Sequence, residues 1–160
     1  MAARYSDQDI ARLIEERKPL QEDYRSRIQL RPKRGHKEQE LDVQGANGSE
    51  FRLILRQSNV NPLDFSIILA YGPPNSNILF RLRRYNGKGH EHTNRIEGNK
   101  FYDFHIHMAT QRYQELGMRE DAYAEPTDRF SDFTSALQCM LNDCGFDIPE
   151  DLQGRLFEEV

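Results

Sequence analysis

The chain has 160 residues, 37% of them hydrophobic and 30% charged, with a formal net charge of −4. A length of this order suits one domain that folds without disulfides or a structural metal, and nine Phe with seven Tyr exclude a disordered tail. No run approaches the roughly 20 apolar residues of a membrane helix, and no secretory leader is read at the N-terminus.

Charge is unevenly placed. Residues 115–160 carry twelve acidic and three basic groups, a net of −9, and residues 1–114 carry the balancing +5. That asymmetry fits either an anion-binding N-terminal part or two parts that neutralise each other when packed. Cys139 and Cys144 fall on one predicted helix and read as buried thiols. They fit a reducing cytoplasm better than a disulfide framework.

In chain order, Ser6 and Asp9 predict a capping box, with Tyr5 and Ile10 as its hydrophobic staple, opening a helix over 6–18 that Pro19 ends. The period then changes to two. In YRSRIQLRPK, residues 24–33, Tyr24, Ile28 and Leu30 alternate with Arg25, Arg27 and Arg31. In QELDV and the Glu38 before it, Leu41 and Val43 alternate with Glu38, Glu40 and Asp42. The pattern predicts half-buried antiparallel strands whose arginine and acidic stripes face each other. Strands follow at 51–57, at 64–72 (apolar on both faces and therefore central), at 78–85 and at 100–108.

From Ala109 the pattern is helical. Gly117 stops one helix, Ser131 caps another over 131–145, and Pro149 opens a short last one. Pro126 reads as the approach to a capped helix, although Tyr123, Glu125, Thr127 and Asp128 would reach a site if that loop folded back. The expected fold is α+β, a single domain over 1–160. An antiparallel meander of about six strands (24–108) carries the N-terminal helix, and an acidic helical part (109–160) packs on one face.

Four of the five histidines lie within residues 89–107, as two H-x-H pairs, His90/His92 and His105/His107. On a strand, residues i and i+2 share a face, and a hairpin turning near Glu97–Gly98 brings the two pairs together. Three chemistries fit. Imidazoles suit a zinc-like divalent metal, with Asp103, Glu91 and Glu97 close enough in sequence to assist. Two metal-free histidines can act as general base and general acid, with Arg84, Lys88, Arg95 or Lys100 stabilising a phosphate. The third reading is a solvated hairpin without chemistry.

His90-Glu91-His92 with Glu97 resembles the first motif of cupins, which implies a metal in a small β-barrel; the P-x-G-x-x-H segment of that family is absent. Over residues 65–113, the order of an apolar strand, a strand ending Arg84-Tyr85-Asn86, a Gly- and His-rich loop and a strand ending in a histidine pair resembles the TumE-like toxins of bacterial toxin–antitoxin pairs. In this chain the usual histidine doublet is spread to H-E-H. That resemblance implies an intracellular bacterial or phage protein acting on RNA and held by a cognate antitoxin-like partner. Arg84, Tyr85, Asn86, His90, His92, His105 and His107 would be its functional positions. The Y-A-E-P-T segment after a histidine pair also resembles an uncharacterised group of bacterial and phage proteins. A non-catalytic metal-binding or protein-interaction module is the alternative reading.

Overall fold

The computed structural model describes residues 4–149, so the helix expected to open at Pro149 lies outside the described residues. Helix α1, Asp7–Glu15, has the capping box expected at Ser6. The Ser6 hydroxyl accepts from the Asp9 N–H at 3.0 Å, and the Asp9 carboxylate accepts from the Ser6 N–H. Two donors that a helix start leaves unpaired are thereby satisfied. Ile10 and Ile14 form its buried face.

Next come β1 (Lys18–Pro19), the short helix α2 (Tyr24–Arg27) and β2 (Arg31–Pro32). The strand expected over 24–33 is therefore corrected to a helical turn followed by two strand residues. Tyr24 and Ile28 are both buried; a spacing of four satisfies a period of two and a helical turn alike, and the helix prevails. The arginine stripe dissolves with it. Arg27 pairs with Asp23 one turn back, at 3.2 Å, and only Arg31 stands opposite Glu38.

Four long strands form the meander: β3 (His36–Gln44), β4 (Glu50–Ser58), β5 (Phe65–Gly72) and β6 (Phe80–Asn86). The acidic stripe on β3 is met by β4, where Arg52 lies 2.8 Å from Asp42 and Arg56 lies 3.7 Å from Glu38. The hairpin of β7 (His92–Thr93) and β8 (Lys100–Phe101) stands apart from the main sheet. The chain rejoins that sheet as β9 (His105–Met108) beside β6. One strand expected over 100–108 is thus two, separated by residues 102–104, of which Tyr102 is 66% exposed.

After helix α3 (Gln111–Glu115), strand β10 (Tyr123–Pro126) pairs along the outer side of β9. Helix α4 (Phe133–Asp143) is capped by Asp132 rather than Ser131. Finally β11 (Phe146–Asp147) lies parallel to β1. The main sheet has seven strands in the order β10-β9-β6-β5-β4-β3-β2, with β5 in the middle. The α+β, antiparallel character is as expected. The additional strand is β10, and Pro126 is tolerated there because an edge strand can lack a backbone donor.

One face of the sheet, with Leu53, Leu55, Ile67, Leu69, Tyr85 and Ile106, forms the core together with residues of α1 and α4. The other face carries Ile68, Arg84 and His107, directly opposite one another across β5, β6 and β9. A bulge at Leu69/Ala70 decides which face Arg84 joins. Leu69 pairs with Arg83 and Ala70 with Arg81, leaving Leu82 as the extra residue. Without that bulge Arg84 would share the core face of Leu82.

Lys18 is fully buried. Its ammonium donates to the carbonyls of Leu13, Ile14 and Glu16 at the end of α1 and of Cys144 at the end of α4, all within 2.7–2.9 Å. Nζ also lies 4.4 Å from the centroid of the Phe51 ring. One cation therefore closes the negative ends of two helices. Among the described residues no helix is long and apolar enough to cross a membrane.

Candidate functional site

The β7–β8 hairpin turns where the sequence suggests. Asn94 N–H donates to the Asn99 carbonyl at 2.9 Å, and Gly98, at φ +82°, donates to the Asn94 carbonyl at 2.6 Å. Asn94, only 1% exposed, anchors the hairpin to β10. Its Nδ2 donates to the Ala124 carbonyl at 2.7 Å, and its Oδ1 accepts from the Ala124 N–H at 2.9 Å.

So anchored, the hairpin lays His92 against β9. The His92 ring stacks on His105 at 5.5 Å between centroids and meets His107 edge-on at 4.8 Å. One ring nitrogen from each of His92, His105 and His107 lies within 4.8 Å of the others. His90 is not brought in. It is 82% exposed, with Nε2 3.8 Å from Asp64.

The neighbours determine which nitrogen of each ring carries a proton. His105 Nδ1 lies 2.8 Å from the Asp103 carbonyl, and His107 Nδ1 lies 2.8 Å from the Asp121 carbonyl. A carbonyl only accepts, so both Nδ1 atoms are protonated and both Nε2 atoms keep a lone pair. For His92 the constraint is Asn94 Oδ1, 2.7 Å from Nε2. The two bonds to Ala124 orient that amide, so Nε2 donates and Nδ1 keeps the lone pair. Burial lowers the His105 pKa. Burial, then Arg84 and the other two imidazoles, pushes His107 down to about 2. A neutral imidazole oriented by an outer acceptor is the form in which histidine binds metal, and each of the three rings has such an acceptor.

Beside them lies a cleft of about 420 Å³ whose lining includes His92, His107, Arg84, Arg95, Arg119 and Asp121. Arg84 Nη2 donates to His107 Nε2 at 3.3 Å. Asp121 is fully buried, and its carboxylate stands 3.6 Å from Arg84 Nε and 3.7 Å from Arg119 Nε. These separations make ion pairs but not hydrogen bonds. Six buried side-chain atoms among the described residues have no hydrogen-bond partner, and four belong here: Arg84 Nε, Asn86 Oδ1 and both Asp121 oxygens. A native interior rarely leaves such groups unpaired except where a ligand or function uses them.

The remaining expected site residues separate by strand face. Asn86 is paired in register with His105, as Arg84 is with His107. Tyr85 points the other way into the core, where its hydroxyl donates to Asp143 at 2.6 Å. Asp103 contributes its carbonyl to His105, whereas Glu97 is engaged by the Tyr113 hydroxyl at 2.6 Å and by Arg112. Lys88 sits over the Phe104 ring at 5.1 Å.

The 121–126 segment does fold back, but it serves the histidines through the carbonyls of Asp121 and Ala124, while Tyr123 donates to Glu125 at 2.9 Å. Asn94, Arg119 and Asp121 are site residues that sequence reasoning misses. No motif marks them, since each arrives through pairing with distant chain.

Residues 5–145, most of the chain, match the model of a family of unknown function (DUF6978). No curated protein and no solved structure matches it.

Proposed function

The chain belongs to this family of unknown function, and we propose that it is a metal-binding protein with a three-histidine centre of the catalytic kind. His92 through Nδ1, and His105 and His107 through Nε2, would hold a zinc-like divalent ion. The observation that carries this reading is the set of outer acceptors, Asn94 Oδ1 and the carbonyls of Asp103 and Asp121, which leave one lone pair on each clustered ring.

Three nitrogens about 2.0–2.1 Å from zinc are separated by roughly 3.3 Å, closer than the 4.8 Å within which one nitrogen of each ring lies, so the rings would have to close on the ion. A metal there would take the His107 Nε2 lone pair to which Arg84 Nη2 now donates. Among the described residues the group contains no fourth metal-binding side chain; three protein ligands with one open position is the arrangement of catalytic zinc, where the ion brings the pKa of bound water to about 7. Paired acid–base chemistry by two histidines fits less well, because a general acid needs a protonated ring and burial disfavours that form at His105 and His107.

The test is elemental analysis of tag-free protein loaded with zinc and desalted. About one equivalent is expected in the wild type and none in a His105→Ala/His107→Ala variant that keeps its far-UV circular dichroism. Equal metal in both would sink the reading.

A second reading, an RNA-acting toxin held by an antitoxin-like partner, is supported by Arg84 and Asn86 lying in register with His107 and His105. Expression of the chain alone should then slow bacterial growth, and the same double substitution should restore it. Normal growth with well-folded wild-type protein counts against this reading.

A further inference from the structure

We propose that the cleft beside the three histidines is a receptor for a phosphomonoester dianion, with Arg84, Arg95 and Arg119 as its anion-binding groups. The inference rests on the metal reading for the position of the ion and on the arginines for the position of the phosphate.

Charge is the first argument. Three guanidiniums line one cavity against a single carboxylate, Asp121. The surplus is two positive charges before any metal is added. A carboxylate ligand or an internal phosphodiester brings one negative charge; a phosphomonoester brings about −1.5 to −2 at neutral pH, with three acceptor oxygens.

Donor supply is the second argument. Arg84 Nε is buried without a hydrogen-bond acceptor, and Arg119 touches Asp121 only at ion-pair distance. Arg95 is exposed at the mouth of the cleft. Forked guanidiniums with unused N–H groups are the usual receptors for phosphate oxygens.

Size is the third. A volume of about 420 Å³ lies within the range of small-molecule sites. It admits a phosphate and part of the group esterified to it, with the phosphorus end beside His107.

The experiment titrates inorganic phosphate into the full-length chain, loaded with zinc and desalted, by calorimetry. The comparison is the Arg95→Ala/Arg119→Ala variant, which leaves the buried Arg84–Asp121 pair and all three histidines in place. Phosphate binding weaker by at least about tenfold in the variant, at equal zinc content, supports the proposal. So does competition by adenosine 5′-monophosphate without competition by an oligoribonucleotide lacking terminal phosphates.

Phosphate bound equally by both proteins overturns it, as does a wild type that binds none. An oligoribonucleotide that competes as well as the monoester also overturns it, and assigns the cleft to RNA backbone. The two readings fail separately. Zinc bound without phosphate removes this inference alone, whereas phosphate bound through the arginines by a protein that takes no zinc removes the metal and keeps the anion receptor.

Discussion

Zinc at a hundredfold excess over its dissociation constant is expected to stabilise the protein by about 2.7 kcal/mol, raising the melting temperature by about 5–10 °C for a chain of this length. His92→Ala should abolish the shift. His92 is the safest ligand to remove, because it is only half-buried while His105 and His107 lie in the sheet at 5% and 4% exposure. Asn94→Ala tests the outer shell. All three rings remain, but Nε2 of His92 loses its acceptor, the proton is free to move to Nδ1, and the hairpin loses its tie to Ala124. Zinc affinity should fall about 10–100-fold, read by competition with a chromophoric chelator. If His92→Ala binds zinc as tightly as the wild type, the cluster is not the metal site.

Lys18→Met is expected to lower the unfolding free energy by about 4 kcal/mol or more, since four carbonyls lose their donor and each buried unpaired group costs about 1–3 kcal/mol. Burial pushes the Lys18 pKa down to about 8, yet the four carbonyls hold the ammonium form, so the group is a cation at neutral pH. A methionine there packs against Phe51 and Phe146 but cannot close the ends of α1 and α4. Urea unfolding measures the loss directly, and a change under 1 kcal/mol would mean that water or a backbone shift satisfies those carbonyls. The effect should leave zinc affinity intact, because Lys18 lies among core residues on the opposite side of the sheet from the histidines.

What was legible in the sequence follows chain distance. The Ser6 cap, the alternation of β3 to β6 and the apolar β5 depend on neighbours a few residues apart, and each could be read directly. Residues 24–33 misled because buried positions four apart satisfy two periods at once. Strand β10 was invisible because an edge strand is made by its partner, and Tyr123–Pro126 has little strand character of its own.

The same division runs through the site. The spacing of His105 and His107 by itself puts both rings on one face, and the glycine and asparagines near 94–99 place a turn before them. Only the tertiary structure selects His92 over His90, because that choice depends on Asn94 reaching Ala124, thirty residues away. Only the tertiary structure turns Arg84 to the histidines and Tyr85 to the core, through a bulge that no local pattern announces. And only it brings Asp121 beside Arg84, since pairing of β10 with β9 delivers that carboxylate to a place where a guanidinium from β6 meets its charge. Sequence determines which residues can share a face of one element; long-range pairing determines which elements share a site.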